Sequence, residues 1–246
     1  CSIIIAEVII MADSILRDKA KQFAKGIVFL CREIKSSHKE AILVNQLLRS
    51  ATSIGANLHE AQYAQSKNVN LLLWYNSAGD WNTVGYTPKN QLLTRESRRA
   101  EFKRLQDMGV KGVKIDFFGG DGQSVIAYYI DILEDAADFE LLVNFHGATL
   151  PRSWSSIYPH LMTVEAVRGF EMVTFMQEDA DRQAEISSIL PFTRNVYDPM
   201  DFTPMNLSKI NSQVQRRTTA SFELATSILF LSGIQHYAES PAGMKA

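Results

Sequence analysis

The sequence predicts an α/β fold preceded by a helical segment. Three observations carry that expectation: a change of hydrophobic period near residue 68, apolar runs of strand length separated by helix-length segments, and polar residues gathered where those runs end. Residues 11–67 keep the helical period. Leu16, Ala20, Phe23, Ile27, Leu30 and Ile34 recur at alternating steps of four and three. Val44, Leu48, Ala51, Ile54, Leu58 and Ala61 form a second such stripe after the polar break KSSHK, so the segment reads as a helical hairpin. Gly26 and Gly55 are its strong helix breakers, each costing about 1 kcal/mol against Ala, which packing can offset.

From Asn68 the period changes. VNLLLWYN (69–76) is a continuous run of strand formers that breaks at SAGDWN, a turn composition. ESRRAEFKRLQDMG follows as a helix, with Phe102, Leu105 and Met108 on one face and Gly109 placed as the C′ residue. GVKGVKIDFF is the next buried strand and GQSVIAYYIDILEDAADF the helix after it. ELLVNFHG makes a third strand and LMTVEAV a fourth; ILPFTRNVYDP is expected to contain a fifth, and IQHYAE, after TTASFELATSILFLSG, to form a sixth. Such alternation points to βα units and a parallel sheet, where chemistry sits at the C-terminal strand ends, above all in an eight-stranded α/β barrel.

The bulk properties limit the function classes. At 246 residues the chain holds one large α/β domain or two smaller ones, and 46% hydrophobic with 21% charged residues argues against extensive disorder. A net charge of −2 gives no overall attraction to nucleic acid or to an anionic membrane. The hairpin is the basic part, with nine basic residues against five acidic ones, leaving +4. Cys1 and Cys31 show neither metal spacing nor a disulfide framework. CSIIIAEVII is apolar but lacks a basic flank and is too short to span a bilayer. Met11 is a more natural start than Cys1, so residues 1–10 read as a fragment edge, 11–67 as the hairpin and 68–246 as the α/β domain.

The strand ends collect polar residues that a core would not need. They are Asn76 and Asp80 beside Trp74 and Trp81, Asp116 and Asp121, Asn144 and His146, Glu165 and Glu171, Arg194 and Asp198, and His236 and Glu239. Ionised Asp is costly to bury unless paired, so Asp116 at the end of GVKID calls for a reason. Paired carboxylates with aromatic platforms for sugar faces are what glycoside hydrolysis requires. GGDG (119–122) lacks the Lys-Ser/Thr ending of a phosphate-binding loop, and neither GxGxxG nor GxSxG occurs. Bland readings stand beside these: Asp116 as a loop cap, His146 and His236 as hydrogen-bonded structural residues, Trp74 and Tyr75 as core. Arg194, with its planar fork, suits organising a carboxylate better than direct substrate contact.

Read together, LLLWYNSAGDWN, GVKGVKIDFFGGDGQ, VNFHGATLPR, MTVEAVRGFE, LPFTRNVYDPMDFTP and SGIQHYAE closely resemble the catalytic barrel of glycoside hydrolase family 97 over about residues 69–246. That family comprises calcium-dependent α-glucosidases and α-galactosidases with a (β/α)8 barrel behind an N-terminal β-sandwich. Its inverting branch uses glutamate bases after the third and fifth strands, and its retaining branch an aspartate nucleophile after the fourth. The resemblance makes GVKIDFF the fourth strand, and neither WYNSAGDWN nor NFHG supplies a glutamate. It therefore implies a retaining enzyme, an α-galactosidase by preference, with Asp116 as nucleophile and Glu171 as acid/base. It further implies calcium held at Glu165 and Glu171, and an α-linked oligosaccharide contacted by Trp74, Asn76, Asp80, Trp81, His146 and Arg194.

By the same resemblance the six strands are the third to eighth, so the fold expected is a partial (β/α)8 TIM barrel. SILRDKAKQFAKGIVFLCREI and LLRSATSIGANLHEAQYAQSK resemble the first two helices of four-helix-bundle proteins encoded in ribosomal RNA intervening sequences, which implies a homo-oligomer through the hairpin. The resemblance to the glycosidase family implies a periplasmic location, the hairpin resemblance a cytoplasmic one. Two other readings follow from the join: a truncated chain without activity, and a helical oligomerisation or nucleic-acid-binding module. No aromatic residues interleave the basic ones to stack on bases, so nucleic acid is not the expected partner, and no membrane is expected either.

Overall fold

The computed structural model describes residues 4–5, 22, 25–33, 70–79, 86, 88–203, 207, 213–237 and 239. The chain divides into two compact units, Cys1–Trp74 with Met108–Val110, and Tyr75–Asp107 with Lys111–Ala246. In the first unit β1 (Ile4–Ile5) pairs in parallel with the start of β2 (Leu71–Asn76), Ile4 opposite Leu71 and Ile5 opposite Leu72. Ile4–Ile5 lies in the segment read as a fragment edge, and its two β-branched residues suit a strand. Helix α1 is described over 25–33. The rest of the expected hairpin, including its whole second stripe, lies outside the described residues.

The second unit carries a parallel ladder of β3 (Gly112–Asp116), β4 (Leu142–Phe145) and β5 (Leu161–Val164). Val113, Ile115, Val143, Phe145 and Val164 are fully buried, each adding about 1.5–3 kcal/mol by leaving water. Helix α2 (Arg95–Asp107) buries Phe102 and Leu105; Thr94 caps it by accepting from the Ser97 N–H at 3.2 Å, and Gly109 follows it at φ +76. Helix α3 (Gln123–Asp138) joins β3 to β4 and buries Tyr129, Ile132, Leu133 and Ala136. Tyr129 packs among Phe118, Phe145 and Trp154. A second core forms around Phe170, Val173, Ala180, Met200, Phe202 and Phe230, built from α4 (Phe170–Phe175), α5 (Gln177–Ile189), α6 (Ala220–Leu229) and the chain between them.

The expected fifth and sixth strands are not strands. Leu190–Phe192 and Arg194–Val196 are short 3-10 turns, and 234–237 has no regular structure. Their neighbours run beside β5 instead: the Asp201 N–H donates to the Val164 carbonyl (3.0 Å), the Val164 N–H to Pro199 (3.2 Å), and the Gly233 N–H to Met162 (2.9 Å). A ladder does not develop because side chains take its bonds and Pro191 favours a turn. The Asn195 amide accepts from the Leu231 N–H at 2.7 Å and donates to the Leu231 carbonyl at 3.0 Å. Only an isolated bridge, Val164 to Met200, remains. Among the described residues no helix is long and apolar enough to cross a membrane.

A buried ion pair, flanked by more exposed ones, ties α2 to α3 inside this unit. Arg98 and Asp135 are each 2% exposed, joined at 2.8 Å through Nε, while Arg99 reaches the other carboxylate oxygen at 2.8 Å. Burial alone would raise the Asp135 pKa, but its bonds to Arg99 and Arg98 outweigh that and lower it. A depressed carboxyl contributes stability that is complete above its unfolded pKa and is lost as pH falls through the folded one. Asp135→Ala leaves Arg98 buried without its counter-charge, and urea denaturation at neutral pH is expected to show a loss of about 3–5 kcal/mol, shrinking in acid. A neutral-pH loss under 1 kcal/mol would refute this role.

Candidate active site

Alternation along each strand builds the site. Lys114 and Asp116, Asn144 and His146, and Thr163 and Glu165 are spaced by two, so each pair shares a sheet face while the apolar residues between them take the other. All six are buried. Asp116 ends β3, with its carbonyl accepting from the Ser77 N–H at 2.8 Å and its Oδ1 from the Phe117 N–H at 2.7 Å. Phe117 has φ +63, an unusual conformation for a bulky residue, directly beside that carboxylate.

Gly147 fixes how closely the next strand approaches. A Cβ at this position would lie 2.7 Å from Asp116 Oδ1 and 2.9 Å from the Phe117 nitrogen, and its φ is +50. Its N–H donates to Glu165 Oε2 at 2.7 Å, so bare backbone stands between the two carboxylates. The preceding residue supplies the cation: His146 Nε2 is 3.0 Å from Glu171 Oε2 and 3.4 Å from Glu165 Oε1. Glu171 comes from the first turn of α4, which docks tightly because Gly169 has no side chain; a Cβ there would meet the Phe202 carbonyl at 2.7 Å.

The carboxylates are pushed in opposite directions. Burial raises the Glu165 pKa, with the negative charges of Glu171 and Asp116 adding to it against His146 and the Gly147 N–H. Glu171 is lowered, chiefly by its hydrogen bond to His146. Burial would depress His146, yet Asp201 and Glu171 outweigh it and raise the imidazole to about 9. At neutral pH the proton of the His146–Glu171 pair therefore rests on His146, within hydrogen-bond reach of the carboxylate.

The other predicted residues have different placements. Arg194 spends its donors on main chain rather than on a carboxylate, with Nη2 on the Val164 and Glu165 carbonyls (2.7 and 3.2 Å), Nη1 on Asp198 (3.0 Å) and Nε on Ala166 (3.2 Å). It shapes the chain around Glu165. Asn76 accepts from the Ala78 N–H at 2.9 Å and donates to the Tyr86 carbonyl at 3.1 Å, pinning a loop. Asp198 anchors the N–H groups of Trp154 and Ser155 at 2.9 and 3.0 Å. Trp74 is half-buried and belongs to the first unit. Asp80 and Trp81 lie outside the described residues.

Two residues of the cluster escaped the sequence reading. Lys114 carried a signal, since a lysine inside an apolar strand two residues before Asp116 must share its face. Asp201 carried almost none, because it follows a segment that only resembles a strand. Its Oδ2 is 3.5 Å from Lys114 Nζ and 2.9 Å from His236 Nδ1.

His146, Glu165 and Glu171 each offer a ligand atom, all within 4.8 Å of one another, the one such group of three among the described residues. Two carboxylate oxygens suit calcium, a hard cation that takes six to eight oxygens, and a divalent charge would relieve the burial of Glu165. The imidazole nitrogen is the poorer donor for it. The fit is thus to Glu165 and Glu171, with His146 as their neighbour.

The profile of the glycoside hydrolase 97 family matches residues 45–167. The chain belongs to this family. The match opens inside the second helical stripe and closes four residues before Glu171. Among curated proteins, a probable retaining α-galactosidase of Streptomyces bingchenggensis (strain BCW-1) is 37% identical over 186 residues, covering 75% of this chain and 26% of that protein. A retaining α-galactosidase of Bacteroides thetaiotaomicron is 29% identical over 188 residues, again across 26% of its length. The chain therefore spans about a quarter of the curated relatives it matches. The crystal structure of a β-arabinopyranosidase superposes with a TM-score of 0.71 at 34% identity, covering 90% of this chain and 36% of that one. A family 97 enzyme of Pseudoalteromonas sp. strain K8, in complex with panose, shares the fold at 22% identity, with a TM-score of 0.59 over 77% of this chain and 31% of that one.

Gly147 gives the sharpest test of this geometry. Gly147→Ala is expected to cost about 1–3 kcal/mol in denaturant titration, from overpacking and the left-handed backbone, and to displace Asp116 in a crystal structure. An alanine accommodated with Asp116 unmoved would contradict the close approach.

Proposed function

We propose that this chain is the catalytic segment, a partial (β/α)8 barrel, of a retaining α-glycosidase acting on α-galactosides. Asp116 is its nucleophile, Glu171 its acid/base, and calcium is bound by Glu165 and Glu171. One observation carries the reading: Asp116 ends a parallel strand beside the Glu165–His146–Glu171 cluster, and only glycine backbone stands between, where a second base would otherwise project. The named retaining α-galactosidases support it by their sequence identity over most of the chain.

The chemistry follows from the residues. A carboxylate oxygen of Asp116 attacks the anomeric carbon as the glycosidic bond breaks, and Glu171 passes a proton to the departing oxygen. Glu171 draws that proton from His146 Nε2, 3.0 Å away. In the second half Glu171 takes a proton from water, which attacks the same carbon, frees Asp116 and restores the original configuration. Buried Glu165 and the Gly147 N–H hold the ring of charge in place. Calcium, when bound, supplies positive charge that stabilises the ionised carboxylates and orients them.

A second reading is favoured by the arabinopyranosidase likeness. The β-L-arabinopyranoside ring matches an α-D-galactoside in configuration but lacks the C5 hydroxymethyl group, so the same carboxylates serve both. The test is hydrolysis of nitrophenyl α-galactoside, α-glucoside and β-L-arabinopyranoside, with calcium and after chelation. The galactoside is expected to be preferred and chelation to lower the rate. Glu171→Gln should lose about 10²–10⁴-fold on a natural disaccharide with a poor leaving group and far less on the nitrophenyl glycoside. Folded wild-type chain that turns over none of the three, calcium present, would defeat the proposal.

A further inference from the structure

Asp201 is not among the residues to which the proposed reaction assigns a role, yet its enclosure demands an explanation. Its side chain is fully shielded from solvent. One oxygen, Oδ1, is occupied by Thr203, whose N–H and Oγ1 both approach to 3.2 Å. The other, Oδ2, faces four nitrogen groups at once: Asn144 Nδ2 at 3.3 Å, Lys114 Nζ at 3.5 Å, His146 Nδ1 at 3.6 Å and His236 Nδ1 at 2.9 Å. The main chain of Asp201 is held to β5 through the Val164 carbonyl. The carboxylate is therefore a fixed point and the groups around it are arranged on it.

The geometry also says what kind of contact this is. Neither imidazole Nδ1 makes an in-line hydrogen bond, and Asn144 Oδ1 is likewise buried without a hydrogen-bond partner. What joins the bases is a shared partner: one buried carboxylate oxygen faces the Lys114 ammonium and two imidazole nitrogens, and without it Lys114 would lose its counter-charge and both rings the acceptor on that side. Among the described residues, Glu165 and Glu171 are the other carboxylates that His146 touches, both through Nε2.

We propose that Asp201 is a positioning residue, a buried carboxylate shared by Lys114, His146 and His236, which keeps His146 with Nδ1 inward and Nε2 on Glu171 and Glu165. With the carboxylate removed, Lys114 and His146 turn toward those two glutamates and tie up the acid/base. For catalysis this rests on the function proposed above; for the arrangement of the bases it does not.

The test uses the full chain labelled with 15N-histidine at one fixed pH, with side-chain signals assigned from His146→Gln and His236→Gln. In Asp201→Asn the Nδ1 signals of both histidines are expected to move together beyond their linewidths, while kcat falls about 10–100-fold with KM little changed. Should Asp201→Asn fail to fold, His236→Gln carries the test, because a shared carboxylate requires the His146 signals to respond when its other histidine is removed. Spectra of folded Asp201→Asn that superimpose on wild type, or a His146 signal indifferent to His236→Gln, would overturn the proposal. Wild-type chain without turnover would sink the proposed function alone, since the histidine spectra need no substrate.

Discussion

The dipeptide His146–Gly147 is the constraint on which the site depends. Buried carboxylates at the ends of neighbouring parallel strands repel one another and lose hydration, and they persist only with a cation and hydrogen bonds among them. His146 supplies the cation, touching Glu165 and Glu171 with one nitrogen and facing Asp201 with the other. Gly147 supplies the space, letting backbone pass 2.7 Å from Glu165 Oε2 and leaving no Cβ to strike Asp116. Glu171 on α4 and Glu165, just past the end of β5, are drawn into one cluster by these two positions in the turn after β4.

The same constraint bears on stereochemistry. The family resemblance implies that inverting relatives place a glutamate base after the strand equivalent to β4. In this chain any side chain at 147 would collide with the oxygen of Asp116, so a base there and a nucleophile at 116 are alternatives, not companions. A nucleophile needs nothing on the opposite face of the sugar to activate water, whereas an inverting base needs room for that water. The close packing of Asp116 against Gly147 is thus suited to double displacement. The protonation pattern is consistent with shared use of one proton: Glu171 is held low by His146, and the acid role proposed for it would depend on the proton carried by that imidazole.

Much of this was legible because strands buried on both faces of a parallel ladder read as continuous apolar runs with polar residues gathered at their ends. The runs around Leu71, Val113, Val143 and Met162 are strands, as expected, with Asp116, His146 and Glu165 at or just past their ends. Legibility failed where side chains replaced main-chain partners. Asn195 and Arg194 saturate carbonyls of neighbouring chain, so segments with strand composition became turns beside β5. No local pattern announces that exchange. Asp201 was missed for the same reason, since its importance lies in contacts to residues 35 to 87 positions away, and Arg194 turned out to shape main chain rather than pair with a carboxylate. The expectations for the helical hairpin fall mostly outside the described residues.

The claim that most needs a direct answer is that Asp116 forms a covalent bond to the sugar. A 2-deoxy-2-fluoro galactoside with a good leaving group slows breakdown of such an intermediate, and peptide mass spectrometry locates the adduct. One fluorosugar per chain is expected, on the peptide bearing Asp116, with no adduct in Asp116→Asn. Release of product with inverted configuration and no adduct, or an adduct on any other carboxylate, would contradict it.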